Sequence, residues 1–389
     1  MPDTAPESLE LEPRDKEAIR LAQSGALAEA EVLLREILDD RPDDHQILNA
    51  AGAVAAQQGR LVEAYPLFQK AQALAPQDPS ITGNLAAVKQ GLEARANECL
   101  GRGDWAGARQ ALRDVLKVDA GHQSAPNILI HCVMNSGGRG ELADFAPDIN
   151  EDDLGEHIFI ACMPKSGSTF LKHALHRLTG WREASLTFAF LQNEEELYLP
   201  FLRAVARTET ITQQHCRATI PNIQLMQAFT IRPIVLVRNL FDTIVSYTDF
   251  FDSGATVNTF FGGRWENFER ERRIDLMIDH FVPWYLAFYA SWSDAMARGQ
   301  LDCLLLRYEE MIADKPKALA RIADFYALDI PDAECEAAVA AIEGDADKNK
   351  TRYNKGVAGR GDELSDAQCE RIRRLAAYYH DVDFAPLGL

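Results

Sequence analysis

The sequence predicts a chain in two parts, an α-helical solenoid followed by a mostly parallel α/β domain. Small residues and prolines recur in the N-terminal part at an offset of 34 residues, in the pairs Gly25 and Gly59, Ala30 and Ala64, and Pro42 and Pro76. After residue 157, apolar runs of strand length alternate with helical patterns, as they do around parallel sheets. At 389 residues the chain is long enough for two or three domains.

The composition excludes several classes of protein. A formal net charge of -19 argues against non-specific binding to nucleic acid or to an anionic membrane. No apolar run approaches the roughly 18 residues of a membrane-spanning helix. Residues 1–14 are acidic and contain no apolar stretch, so we expect a flexible leader rather than a signal peptide. The seven cysteines are scattered without a C-x-x-C pair, which favours a cytoplasmic protein without a zinc site.

Residues 15–135 are predicted to form about three helical repeats and a capping helix at 127–134. The third copy follows the second by 44 residues, so its first helix, 82–101, is expected to be about ten residues longer. Small residues let paired helices approach, and stacked pairs bury what one pair cannot. The 34-residue period resembles the tetratricopeptide repeat (TPR). A generic helical bundle is the alternative, and the array could bind a protein partner, an acceptor or a second protomer.

Residues 136–156, rich in glycine and acids, are predicted to link this array to a second domain at 157–389. Within that domain we expect strands at 158–162, 210–215, 233–237 and 301–306. Helices are expected from Thr169, from an N-cap at Asn193 with three glutamates in the first turn, after Arg238, and over 315–327. Ligands of such sheets bind at the carboxyl ends of the strands.

The loop PKSGSTFL follows the first of these strands and has the features of a phosphate site. Gly167 lets the backbone approach an anion, and the amides at the helix N-terminus point toward it. Ser166, Ser168 and Thr169 add hydroxyl donors, and Lys165 adds a positive charge. The loop lacks the Gly-Lys-Ser/Thr of nucleotide-triphosphate-binding loops. The alternative is a tight strand-to-helix turn without a ligand.

A second motif, VRNLFDTIVSYTDFF, follows a later strand. Arg238 stands where the strand ends, and Ser246 lies two turns into the next helix, so both can converge on one phosphate. In this order the two motifs resemble those of sulfotransferases that use 3′-phosphoadenosine 5′-phosphosulfate (PAPS), a family with a P-loop-like fold. The family has proline where this chain has Leu240.

A third segment, TQQHCRATIP, resembles the Lys-Thr-His segment of cytosolic sulfotransferases, in which the histidine is the general base. Here Gln214 precedes His215. An imidazole with a pKa near 6.5 can accept a hydroxyl proton at neutral pH. His173 and His176 lie on the helix after the first loop and are expected to be ordinary structural or surface histidines.

The segment RYNKGVAGRGDELSDAQ resembles the C-terminal loop that covers the 3′-phosphate and adenine in this family. Three positions match the family: Lys355, Gly356 and Gly359. Asn354 stands where the family has arginine and Gly361 where it has tryptophan, and whether Arg352 replaces the missing charge is left open. By the same resemblance, Tyr308 in LRYEEM lies near the adenine and Phe170 stacks on it.

The resemblance covers residues 158–379 and implies a mechanism. Residues 165–169 would hold the 5′-phosphosulfate, and Arg238, Ser246 and Lys355 the 3′-phosphate. His215 would deprotonate a hydroxyl or amine acceptor that attacks sulfur in line. Lys165 would stabilise the charge that develops as adenosine 3′,5′-bisphosphate (PAP) leaves, and no metal is implied.

Two other functions compete with this one. A P-loop kinase would need a Walker lysine and a magnesium-binding acid, and neither is evident. A TPR adaptor with a PAPS- or PAP-binding but inactive transferase domain remains an alternative. The acceptor is not identified by the sequence: residues 181–207 and 249–273, which include Phe260 and Phe261, are expected to contact a small molecule, a glycan or a peptide.

Overall fold

A computed structural model describes residues 12–188, 194–254, 265–344 and 359–389. The chain divides into two compact units, one of residues up to 138 with 143–148 and one of residues 139–142 with those from 149 onward. The predicted linker, 136–156, thus contributes residues to both units. In the described ranges no helix combines the length and the apolar composition that crossing a membrane requires.

The first unit consists of consecutive helices. These are α1 (Pro13–Ser24), α2 (Leu27–Asp40), α3 (His45–Gln57), α4 (Leu61–Leu74), α5 (Pro79–Gly101), α6 (Trp105–Val118), α7 (Ala125–Asn135) and the short α8 (Leu142–Phe145). The predicted helical repeats are confirmed, including the long first helix of the third copy and the capping helix. Residues 1–11 of the predicted leader (1–14) lie outside the described residues, and its last two residues, Pro13 and Arg14, belong to α1.

Small residues bring the paired helices together as expected. Ala30, Ala64 and Ala108 are fully buried where the helices meet. At Gly52 a Cβ atom would lie 2.7 Å from the ring of Phe68, so only glycine fits beside that ring. The repeat period therefore reflects the spacing of close helix contacts.

A buried carboxylate fixes α8 to α6. Asp144 is fully buried and accepts hydrogen bonds from Arg109 Nε at 2.9 Å and Arg113 Nε at 2.8 Å. A second oxygen of Asp144 accepts from Arg109 Nη2 at 2.8 Å. The two guanidinium groups compensate the cost of burying this charge.

The second unit is built on one parallel sheet, as predicted. Its strands are β1 (His157–Cys162), β2 (Arg182–Glu183), β3 (Thr210–Gln214), β4 (Arg232–Val237) and β5 (Leu304–Arg307), in the order β2-β3-β1-β4-β5. Central β1 is buried along its whole length, which its run of apolar residues requires. Because β3 and β4 flank β1, the loops that follow these three strands meet at one edge of the sheet.

Nine helices are described around this sheet. They are α9 (Ser168–Thr179), α10 (Leu199–Val205), α11 (Ile220–Ala228), α12 (Leu240–Asp252), α13 (Arg270–Ala297), α14 (Tyr308–Ala313), α15 (Lys315–Phe325), α16 (Asp332–Glu343) and α17 (Asp366–Ala376). The face of α9 that carries Phe170, Leu171, Ala174 and Leu175 packs into the core beside β1, as its spacing predicts.

Three elements of this unit differ from the prediction by more than their end residues. β5 begins at Leu304 rather than at Leu301, and β2 was not predicted because two exposed residues carry no apolar pattern. The predicted helix with Glu194–Glu196 in its first turn is wrong: these residues are not helical and α10 starts at Leu199. Asn193, its predicted N-cap, lies outside the described residues.

Candidate active site

The loop after β1 is a tight turn that leads into α9. Lys165 and Gly167 both have positive φ, of 70° and 84°. The Ser166 hydroxyl donates to the Met163 carbonyl oxygen at 2.6 Å, so it shapes the loop in this arrangement. Tyr285 of α13 adds a bond from its hydroxyl to the Pro164 carbonyl oxygen at 3.3 Å. Gly167 immediately precedes α9, so the free amides of the first turn of this helix lie at the loop, where an anion site needs them.

Two neighbours make Gly167 necessary. A Cβ atom there would lie 2.8 Å from Met311 Cε and 3.0 Å from the ring of Tyr308. Its positive φ is also unfavourable for other residues. The sequence predicted a glycine for close approach to an anion. In the structure, this glycine allows close approach to α14, and its approach to an anion stays a prediction.

Arg238 connects the two predicted anion-binding motifs. It follows β4, and its Nη1 donates to the carbonyl oxygen of Lys165 at 2.9 Å. Its guanidinium lies 4.2 Å from the ring centroid of Tyr308 and 4.0 Å from Asp242. Burial lowers the pKa of this guanidinium, and Tyr308 and Asp242 oppose that shift. A buried cation of this kind gains from an anion bound beside it.

The C-terminal segment that contains Gly359 and Gly361 lies next to the second motif. Asp242 accepts the backbone N–H groups of Gly359 at 2.9 Å and Gly361 at 2.8 Å. A Cβ atom at Gly361 would lie 2.7 Å from Cβ of Phe241. Glycine at the position where the family has tryptophan is therefore a steric requirement of this chain. The predicted Lys355 and Gly356 lie outside the described residues, as do Arg352 and Asn354.

His215 follows β3 on the other side of β1. Its Nδ1 lies 2.9 Å from the carbonyl oxygen of Cys162. A carbonyl oxygen only accepts, so Nδ1 carries a hydrogen and Nε2 is the acceptor of the neutral ring. Burial by itself would lower the pKa of His215, but Cys162 and the carboxylate of Glu195 outweigh that effect and raise the pKa to about 9. Taken as a whole residue, His215 is partly exposed.

Three consecutive acids, Glu194–Glu196, hold the backbone around His215, and we call them the acidic clip. The His215 N–H donates to the Glu195 carboxylate at 2.8 Å. Glu194 accepts from Arg217 and from Trp284 Nε1, and Glu196 accepts from the Thr219 hydroxyl at 3.1 Å. Each acid thus binds one of the alternate residues 215, 217 and 219. This role was not predicted, because the sequence pattern places the three acids in the first turn of a helix.

The other predicted residues lie around the same strand ends. The Lys165 ammonium is 4.2 Å from the ring centroid of Phe250. Ser168 is buried at the start of α9, and Thr169 beside it is partly exposed. Ser246 is buried on α12, two turns beyond the cap residue Asn239. The lysine, the helix N-terminus and the arginine therefore share one region.

Phe170 has a different environment from the one expected for a stacking ring. It is 7% exposed and belongs to the core under β1. The ammonium of Lys315 lies 5.5 Å from its ring centroid. In this arrangement the Phe170 ring offers little surface to a ligand. Tyr308, which lies beside Arg238 and Gly167, is buried to the same extent.

Part of the expected acceptor region is also described. Phe188, Tyr198 and Phe201 form an aromatic cluster with centroids 5.0 to 5.5 Å apart. Phe188 is 77% exposed. Tyr198 lies two residues after the acidic clip in sequence, at the end that leads into α10. Residues 255–264, from the second expected segment, lie outside the described residues.

Comparisons with known proteins identify both parts of the chain. A model of the sulfotransferase domain matches residues 155–368, and a tetratricopeptide repeat model matches residues 16–79. Among solved structures, a mouse sulfotransferase, SULT7A1, complexed with PAP shares 19% identity at a TM-score of 0.46, over 61% of this chain and 88% of that one. A mutant O-GlcNAc transferase from Thermobaculum terrenum shares 10% identity at a TM-score of 0.19, over 99% and 96% of the two chains. No curated protein matches the chain.

Proposed function

The chain belongs to the sulfotransferase family, with TPR repeats at its N-terminal end, and we propose that it transfers a sulfuryl group from PAPS to a hydroxyl or amine acceptor. The family match supports a transferase of sulfuryl groups in general. The donor, the base and the residues named below are our proposal.

The observation that carries the proposal is the 2.9 Å bond between Arg238 and the Lys165 carbonyl oxygen. PAPS has an anionic group at each end of one adenosine, so its two binding elements must lie on the same edge of the sheet. We assign the 5′-phosphosulfate to residues 165–169 and the 3′-phosphate to Arg238 and Ser246. Tyr308 is assigned to the adenine side. The same proposal includes Phe170, and also Lys355 and Gly356 outside the described residues.

The chemistry follows from the position of His215. Its Nε2 accepts the proton of the acceptor O–H as that oxygen forms a bond to sulfur. The bond between sulfur and the bridging oxygen of the 5′-phosphate breaks, and PAP leaves with that electron pair. The ammonium of Lys165 stabilises the negative charge on the bridging oxygen. Positioning and charge stabilisation supply most of the rate in such loose transition states.

Transfer from labelled PAPS to a panel of phenols, saccharides and peptides tests this function. We expect at least one acceptor to be sulfated and His215→Ala to lower the rate by about 10²–10⁴-fold. Because the pKa of His215 is raised to about 9, the rate should increase as the pH rises from 7 toward 9. His176→Ala on the exposed side of α9 is the matched control and should keep the rate. PAP binding without transfer to any acceptor would favour the inactive adaptor instead.

The cellular compartment and the partners of the enzyme belong to the same proposal. All seven cysteines are free thiols, which supports a reducing compartment such as the cytoplasm. The TPR unit supports a protein partner or self-association, and the panel above distinguishes small-molecule, glycan and peptide acceptors.

A further inference from the structure

Glu195 and His215 are joined by two reciprocal hydrogen bonds. The His215 N–H donates to the Glu195 carboxylate at 2.8 Å, and the Glu195 N–H donates to the His215 carbonyl oxygen at 2.8 Å. The side chain of Gln214 adds a bond to the Glu195 carbonyl oxygen at 2.6 Å. Glu195 is only 4% exposed, so its charge is screened weakly by water. A buried carboxylate therefore holds the backbone of the proposed base directly.

Two thiols and two further carboxylates lie near the His215 ring, and neither of these carboxylates bonds to His215. The Cys162 thiol lies 3.4 Å from His215 Nδ1, and the Cys216 thiol, next in the chain, is buried. In the acidic clip, Glu194 is paired with the guanidinium of Arg217, and Glu196 with the Thr219 hydroxyl. Of these three described carboxylates, Glu195 alone bonds to His215.

We propose that Glu195 is a positioning residue that fixes the His215 backbone and stabilises the imidazolium formed when Nε2 takes the acceptor proton. This inference rests on the proposed function and deepens it. The carboxylate keeps its charge during the reaction, because the proton stays on Nε2 and the Nδ1 hydrogen stays on the bond to the Cys162 carbonyl oxygen. The imidazolium thus gains an anionic neighbour that is already in place before the reaction, as electrostatic preorganisation requires.

Titration of His215 by NMR in the full chain tests the inference without an acceptor. His215→Ala identifies the signal. Glu195→Gln keeps an oxygen that can accept the His215 N–H but removes the charge, so we expect the proton affinity of His215 to fall about tenfold. Glu196→Gln, one residue along the same clip, is the matched control and should change it much less. Equal effects of the two substitutions, or no change in Glu195→Gln, would overturn the inference.

PAP titration of the same variants separates this inference from the proposed function. Glu195→Gln should bind PAP as the wild type does, because the hydrogen bonds described for Glu195 go to Gln214 and His215 and not to the loop after β1. Absence of PAP binding in every form, wild type included, would instead contradict the proposed donor. If Glu195→Gln unfolds, Glu195→Asp keeps the charge, and its His215 proton affinity should stay near that of the wild type. A tenfold fall in Glu195→Asp as well would overturn the role of the charge.

Discussion

Gly167 combines two constraints at one position, a left-handed backbone and a close approach to Tyr308 and Met311. We predict that Gly167→Ala lowers the free energy of unfolding by about 2–4 kcal/mol, from backbone strain plus a clash with α14. Chemical denaturation measures this loss. The same substitution should weaken PAP binding, because relief of the clash moves the loop that carries Lys165.

Gly180 provides the control for Gly167. It also has a positive φ, of 68°, but no atom lies within 4 Å of its added Cβ. Gly180→Ala should therefore cost only the backbone strain, about 1–2 kcal/mol, and leave PAP binding unchanged. Equal losses of stability in the two variants would show that the contact with Tyr308 and Met311 does not matter.

His157 at the start of β1 should make stability depend on pH. Burial lowers its pKa to about 4, against about 6.5 in an unfolded chain. Between these values the unfolded chain binds a proton that the folded chain does not. Stability is therefore complete above pH 6.5 and falls by about 3 kcal/mol as the pH drops to 4.

His157→Gln isolates this effect from the carboxylates that titrate in the same range. The variant can still bond to the Thr210 hydroxyl, which lies 2.6 Å from His157 Nδ1. The difference in unfolding free energy between wild type and variant should change between pH 6.5 and 4 and stay constant above pH 6.5. Parallel pH profiles of the two proteins would contradict a neutral buried His157.

Individual site residues were predictable from the sequence where a motif fixes their spacing. Lys165 and Arg238 follow predicted strands, and the structure brings their loops into contact. Glu195 was not predictable, because its partner His215 is 20 residues away and only the strand order brings them together. Gly361 was recognised as an exception to the family pattern, but its reason, the contact with Phe241, needed coordinates.

At the scale of elements, the short helix α8 depends on one carboxylate. We predict that Asp144→Asn lowers the stability of the first unit by about 3–5 kcal/mol, because Arg109 and Arg113 would lose a buried charged partner. Urea unfolding followed by circular dichroism measures the loss, and hydrogen exchange of α6 amides locates it.

Asp40→Asn is the surface counterpart of that substitution. Asp40 pairs with Arg14, but its side chain is 71% exposed. The substitution should therefore lower the free energy of unfolding by less than about 1 kcal/mol. A similar, small loss for Asp144→Asn would mean that the buried pair contributes no more than an exposed one.

Strands and helices were predictable where their apolar residues pack in the core. β1 and β4 are buried runs and were placed within a residue. β2, with two exposed residues, has no such pattern. In sequence, the acidic clip resembles the acid-rich first turn of a helix. In the structure its carboxylates bind the segment after β3 instead. Pro200, in the first turn of α10, marks where that helix starts.

At the scale of the whole molecule, the two-part organisation was predictable because each part has its own period. The helical repeat and the alternation of strands with helices are independent patterns in the sequence. Each pattern predicts one of the two compact units that the structure contains. The net charge of -19 opposes an anionic donor, so binding must come from local cations. Donor binding is therefore proposed to depend on a few residues at one edge of a single sheet.

Isothermal titration with PAP tests that dependence most directly, with Arg238→Ala compared against Arg232→Ala. Both arginines belong to the β4 region, but Arg232 lies at the opposite end of the strand and pairs with Asp302. We predict that PAP binds the wild type and Arg232→Ala alike, and Arg238→Ala about 10–100-fold more weakly, since a charged hydrogen bond contributes about 1.5–3 kcal/mol. No binding to the wild type, or equal affinity in the two variants, would contradict the account.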